Sequence, residues 1–257
     1  MAFILYNAPP STCSQRVRFV LNAKGLPFEE KKLDLLAGDQ LRPEYLALNP
    51  NGVVPTLDHD GKIIIDSSVI IEYLDEIVLA PPHFTPRDPA RRAHMRALMR
   101  FIDEMPAAAV RVPTFNLAFL PRFAAMSEEE FLKFAASKPL RKEFMLSMGR
   151  KGFPQAEMDA AMRRLRRTYE RTDAEIAKSG GPWLLGKDLS LADISLMPAM
   201  VRMADLGQEG AWQDLPRVQR WYDAIRAHPA FKPTYYCGSL LTERFPHLRE
   251  RQTPPSR

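Results

Sequence analysis

Three short segments near the N-terminus carry side chains whose types and spacing could do chemistry together. The first is Ser11-Thr12-Cys13-Ser14-Gln15-Arg16-Val17-Arg18, which lies between an apolar run and a helical pattern. A helix N-terminus presents unpaired N–H groups and a partial positive charge, so it stabilises an anion placed there. A cysteine at such a position has a lowered pKa, and a serine can donate to a thiolate brought by a ligand. The same residues also serve as plain N-caps. The second segment is Val53-Val54-Pro55-Thr56-Leu57. A proline opening a strand lacks a ladder donor. It fits either an edge strand with a trans bond, or a cis turn that leaves the backbone N–H and C=O of Val54 for a ligand. The third is Asp66-Ser67-Ser68 before an apolar helical pattern. There a carboxylate and a hydroxyl can hold an amine and a carboxylate, or simply cap the helix.

Those segments need elements to position them. Phe3-Ile4-Leu5-Tyr6 is a compact apolar run cut by Asn7-Ala8-Pro9-Pro10, which predicts a strand and then a loop. From about Ser14 to Lys24, Val17, Phe19, Val20, Leu21 and Ala23 interleave with Arg16, Arg18 and Asn22 in a helical pattern that Gly25 and Pro27 stop. Phe28 to Leu33 reads as a second strand, and Arg42 to Leu48 as a short helical segment ended by Asn49-Pro50-Asn51-Gly52. Val53 to Leu57 and Ile63 to Ile65 form a hairpin around Asp58-His59-Asp60-Gly61, because Asp-Gly favours such turns. Ser67 to Ile77 closes the unit as a helix. Pro81, Pro82, Pro86 and Pro89 then stiffen the chain and mark a domain boundary. Beyond it the segments near 90–110, 115–125, 127–150, 155–178, 191–206 and 215–228 all favour helix. Residues from about Arg249, including Gln252-Thr253-Pro254-Pro255, are expected to fray. The expected fold is therefore an α/β domain over 1–80 followed by an all-α domain over 88–250.

Composition narrows the class further. A chain of 257 residues exceeds one ordinary domain. Its 46% hydrophobic and 26% charged residues are the balance of a globular protein with a sizeable core. Lys plus Arg exceeds Asp plus Glu by only 36 to 31, too small and dispersed an excess to call for nucleic acid. Cys13 and Cys237 make neither a disulfide framework nor a zinc site, and the five histidines lack metal-ligand spacing. No stretch has the length of a membrane helix and no signal-peptide pattern is visible, so a cytoplasmic protein is expected.

Taken together, in this order, the segments resemble a known family. Residues 1–78 resemble the thioredoxin-like N-terminal domain of cytosolic glutathione transferases. The run from Ser11 to Arg18 looks like the zeta-class Ser-Ser-Cys-Ser-x-Arg-Val-Arg. Ala47-Leu48-Asn49-Pro50 with Val54-Pro55-Thr56-Leu57 looks like the family's LNP…VPTL segment, and Asp66-Ser67 falls where the family has Glu/Gln-Ser. In the helical half, Trp183-Leu184-Leu185-Gly186-Lys187 and Ser190-Leu191-Ala192-Asp193-Ile194 match a further family stretch. Read physically, Ser190-x-x-Asp193 is close to a capping box that starts a buried helix. The segment Met126 to Gln155 resembles an insertion of bacterial β-aryl etherases that also reads Gly-Phe-Pro-Gln.

The resemblance implies glutathione as co-substrate and a homodimer. Val54, with Pro55 cis, would pair its backbone with the cysteinyl part of glutathione. Asp66 and Ser67 would hold the γ-glutamyl end, and Gln40 matches a position that contacts the glycyl end. Val53 stands where zeta members carry glutamine. The catalytic position stays open: the zeta-like alignment selects Ser11, beta-class transferases and tetrachlorohydroquinone dehalogenase select Cys13, and β-aryl etherases select Ser14. Tyr6 is a fourth candidate because some classes use a tyrosine at the end of the first strand. A serine would stabilise the thiolate, whereas a cysteine would form a mixed disulfide. Phe115, Phe119 and Phe123, spaced i, i+4, i+8, could line an apolar pocket for an aromatic electrophile, or pack a helix core. Arg163, Arg164, Arg166, Arg167 and Arg171 read as a solvated face. The expected activity is thiolate attack on an electrophilic carbon, with β-aryl ether cleavage or dehalogenation as specific forms. Its rivals are a non-catalytic binding or scaffold protein of the same fold, and a thiol reductase using Cys13.

Overall fold

The computed structural model describes residues 2–252, with side chains as far as residue 250. β1 (Phe3–Asn7) buries every second residue, the period of a strand laid on a core. α1 (Thr12–Ala23) returns the chain to β2 (Glu29–Lys32), which runs parallel to β1. After the short α2 (Pro43–Leu48), β3 (Thr56–His59) lies antiparallel to β1 with Leu57 opposite Leu5, and β4 (Lys62–Ile65) pairs antiparallel with β3. The sheet order is β2-β1-β3-β4. Asp60 and Gly61 both take positive φ, 50° and 82°, as a two-residue type I′ hairpin turn requires. α3 (Ser67–Ile77) then packs against α1.

The strand expected from Val53 begins only at Thr56. The Val53 carbonyl is already taken by the Tyr45 hydroxyl at 2.6 Å and the Asn49 amide at 3.0 Å, so it cannot join the ladder. The Val54–Pro55 bond is cis, and so is Pro81–Pro82.

The second half is helical: α4 (Pro89–Glu104), α5 (Pro106–Ala109), α6 (Arg111–Thr114), a π-helical turn Phe115–Phe119, α7 (Leu120–Ala124), α8 (Glu128–Ala136), α9 (Lys142–Met148), α10 (Gln155–Ser179), α11 (Leu191–Asp205) and α12 (Pro216–Ala227). α13 (Phe231–Thr234), α14 (Leu241–Arg244) and α15 (Pro246–Gln252) follow, three short helices that the sequence pattern did not announce. α11 is the hub, buried along nearly all its length and packed against α1 and α4. Its start is the full capping box, with Asp193 wholly buried. Fraying does not set in at Arg249: that residue lies in α15 and donates to the Thr242 carbonyl at 2.7 Å. Thr253, Pro254 and Pro255 lie outside the described residues.

Two arginines of α1 are buried, although in sequence they look like its polar face. Arg16 pairs with Asp103 of α4 at 2.5 Å and donates to the Ser195 carbonyl of α11 at 3.0 Å. Arg18 donates to Asn7 at 2.6 Å and to the Thr234 carbonyl at 2.9 Å. Each bond satisfies a charge that burial would otherwise penalise heavily. They fasten α1 to the helical half and to the C-terminal segment. On α10, Arg163, Arg164, Arg167 and Arg171 are exposed, while Arg166 bridges Glu170 and Asp214. Among the described residues, no helix is long and apolar enough to cross a membrane.

Candidate active site

The start of α1 is a cap with a hydroxyl to spare. Ser11 is the N-cap, in extended conformation, and its Oγ accepts the Ser14 N–H at 3.3 Å. Because that Oγ is used as an acceptor, the serine proton remains for a ligand. Ser11, Thr12 and Cys13 all border one cavity of about 270 Å³. Ser14 does not. It is fully buried, and its Oγ accepts the Ala8 N–H at 3.4 Å, which ties the helix to the preceding loop. A role for Ser14 at the sulfur is thus at odds with its placement: a side chain one position past Cys13 on a helix turns about 100° away. Tyr6 does not line the cavity either; it packs against the cluster of Ala8, Leu33, Tyr45 and Val54.

The other candidates divide. Val54 and Gln40 border the same cavity as Ser11. The Val54 backbone N–H and C=O take no hydrogen bond among the described residues. Gln40 is buried, and its Nε2 donates to Leu35 at 3.4 Å while its Oε1 has no partner. A buried orphan acceptor of that kind fits a ligand N–H. Pro55, Asp66 and Ser67 are not brought to this wall. Asp66, at φ 72°, caps α3 by accepting Ser68 N–H at 2.9 Å and Val69 N–H at 3.2 Å. Ser67 is buried beside Arg16, whose Nη1 lies 3.5 Å from its Oγ.

The helical half closes the cavity with aromatic rings and cations. Phe115, Phe119 and Phe123 all face it, with Phe115 edge-on to Phe119 at 5.1 Å and stacked on Phe123 at 6.1 Å. They stand on the π-helical turn and the helix after it, and such turns are frequent at functional sites. The segment 126–155 folds over the same side. It has a small core of its own around Phe131, Met145 and Phe153, and it delivers Phe134, Lys138 and Arg141 to the cavity. Its Gly-Phe-Pro-Gln run is a clamp. Asn116 on the π turn exchanges two hydrogen bonds of 2.8 Å with the Phe153 backbone. Gly152, at φ 83°, has room only for hydrogen there, since a Cβ would meet Asn116 Oδ1 at 2.8 Å.

Arg111, Lys138, Arg141, Arg202 and Arg244 all border the cavity, and among the described residues no carboxylate does. The sequence reading missed this group. Arg111 does extend the Phe115-Phe119-Phe123 spacing by one step of four, which is the signal that was available. Arg202 is committed to the Pro10 carbonyl. Burial pushes the Lys138 ammonium down to about 8, and Arg122 pushes the same way. Between pH 8 and about 10.4 the unfolded chain therefore holds a proton that the folded chain has released, so stability rises with pH there. The full shift would be worth about 3 kcal/mol. Because Lys138 is partly exposed to screening solvent, the wild type should gain on the order of 1 kcal/mol relative to Lys138→Met across that window. Denaturant melts of both proteins across the window check this, and parallel pH curves would contradict it. Among the described residues, no group of His, Cys, Asp and Glu could hold a metal ion.

Family models for the N-terminal and C-terminal domains of glutathione S-transferases match residues 10–77 and 155–224. The chain belongs to the glutathione S-transferase family and is a glutathione-dependent transferase. It is 29% identical to Protein LigF of Sphingobium sp. strain SYK-6 over 91% of this chain and 93% of that protein. The crystal structure of beta-etherase LigF from the same strain superposes with a TM-score of 0.82, covering 91% of this chain and 99% of that one. Maleylacetoacetate isomerase maiA of Aspergillus fumigatus is 35% identical over 76% of this chain and 74% of its own length.

Proposed function

We propose that the cavity takes the glutathione thiol at Ser11 and transfers the thiolate to an aromatic electrophile resting on Phe115 and Phe119. The observation that carries this reading is the Ser11 cap, whose Oγ accepts from Ser14 and keeps its own proton to donate. A free thiol has a pKa of about 8.5 and is only a few per cent ionised at neutral pH. A hydroxyl donor and the positive end of α1, both aimed at the sulfur, raise that fraction. The sulfur then attacks carbon, a C–S bond forms, and the C–O or C–halogen bond breaks with its electron pair leaving on phenolate or halide. The likeness to a β-etherase over nearly the whole chain supports ether cleavage as the specific form. Cys13 lies close enough to matter, but ether cleavage needs no protein thiol.

The Val54 backbone and Gln40 are assigned to the cysteinyl and glycyl parts of glutathione, and Asp66 and Ser67, with Pro55 shaping the turn, to the γ-glutamyl side. The domain division is 1–80 for glutathione and 88–250 for the co-substrate. A cytoplasmic homodimer with a detoxifying or catabolic role completes the proposal. Exposed Val69 and Ile63, half and more than a third accessible, support a subunit contact on that face.

A thermal-shift and calorimetric titration with glutathione tests the reading. At a hundred times its dissociation constant glutathione should stabilise the fold by about 2.7 kcal/mol. Asp66→Ala should weaken binding, and Asp60→Ala, in the hairpin turn, should not. A flat titration to millimolar glutathione would overturn the assignment.

A further inference from the structure

We propose that the co-substrate is an aromatic carboxylate, its ring on the phenylalanine wall and its carboxylate between Arg111 and Arg141. This rests on reading the cavity as the glutathione site, and it names the co-substrate's class. Arg111 is half-buried, and its guanidinium has no hydrogen bond or ion pair among the described residues. The carboxylate whose charge it feels is Asp103, which is already held by Arg16 at 2.5 Å and by the Ser68 hydroxyl at 2.6 Å. Burial and the neighbouring Arg141 both push the Arg111 guanidinium down. Among the described residues the Arg141 guanidinium bonds only to the Leu140 carbonyl, at 3.3 Å. Two guanidiniums are thus held near each other at a cavity edge without a carboxylate, an arrangement that costs stability until an anion enters.

The geometry places that anion on the co-substrate. Arg111 lines the same cavity as Ser11, Thr12 and Cys13, the sulfur-facing segment. The glutathione carboxylates, by the assignment above, go to Gln40 and to the start of α3. Arg111 is also four residues before Phe115 on the same wall. A ring stacked at Phe115 therefore points a substituent at the guanidinium. A planar fork suits a carboxylate bidentately.

The test compares 4-chloro-3,5-dinitrobenzoate with its methyl ester at saturating glutathione. In both, the C–S bond forms at the ring carbon, chloride leaves with the electron pair, and the carboxyl substituent does not react. Each kcat/KM is divided by the uncatalysed rate constant. Wild type should then favour the acid by about tenfold or more, since a hydrogen bond to a charged group is worth roughly 1.5–3 kcal/mol. Arg111→Gln should bring that preference to within about threefold of unity, mainly through KM of the acid, with ester turnover and glutathione binding kept. It should also raise Tm, because an unpaired buried charge is removed. Equal use of acid and ester by wild type would overturn the proposal. So would an equal loss on both in the variant, which would mean that Arg111 serves the thiolate instead. If Arg111→Gln does not fold, Arg141→Gln carries the same comparison from a residue with a single local bond. If glutathione itself fails to bind, calorimetry with 3,5-dinitrobenzoate and its methyl ester alone decides separately. Binding of the acid lost in Arg111→Gln keeps the anion site, and no preference for the acid ends it.

Discussion

Ser11→Ala should lower kcat with an aryl electrophile by about 10²–10³, the usual cost of removing one donor aimed at a developing or resting anion. The ultraviolet absorbance of bound glutathione should show its thiol pKa moving up by the same cause, so the loss should shrink as pH rises and the thiol ionises unaided. Stability also falls, by about 1 kcal/mol, because the Ser14 N–H loses its cap. The pH dependence separates the two effects, since a lost cap alone would not recover rate at high pH. Cys13→Ala should keep most of the activity, and Ser14→Ala should act on stability through the Ala8 loop. Abolition of turnover by Cys13→Ser, with Ser11→Ala near wild type, would replace this mechanism by mixed-disulfide chemistry.

Asp193→Ala is expected to cost about 3–5 kcal/mol of folding stability, since it strands several buried donors at once. Asp193 Oδ1 accepts the Leu184 N–H at 2.9 Å and the Trp221 indole N–H at 2.8 Å. Its Oδ2 accepts the Ser190 hydroxyl at 2.6 Å and the Ser190 N–H at 3.0 Å. One carboxylate thus joins the start of α11, the loop before it and α12. For a chain of this size the loss should lower Tm by roughly 10 °C. Asp193→Asn should cost less, because one amide oxygen can still serve Leu184 and Trp221. A melt of Asp193→Ala within about 1 kcal/mol of wild type would show that these bonds are replaced by water or by rearrangement.

The sequence by itself determined much of this protein, wherever a signal was local. The compact apolar run Phe3 to Tyr6, the Asp60-Gly61 turn, the stop at Gly25 and the Ser190-x-x-Asp193 box each act through neighbouring residues, and each appears in the fold as expected. The same holds for α3, whose bounds coincide with the expected 67–77. The family motifs single out Ser11, Val54 and Gln40, and the fold places all three on one cavity. What tertiary structure alone decided was the direction and company of polar side chains. Ser11, Cys13 and Ser14 are equivalent in a string of letters, yet helical rotation puts two at the cavity and buries the third. Arg16 and Arg18 interleave with apolar residues in the sequence and are both buried in the fold, because Asp103, Ser195 and Thr234 arrive from 87, 179 and 216 residues away. Arg111 looks no different from the exposed arginines of α10, and only the segment 126–155 folding over it turns it into an unpaired charge beside a wall of phenylalanines. Charge, burial and partnership are sums over contacts that no local window contains, so the chemistry of the co-substrate side became visible only once the chain was folded.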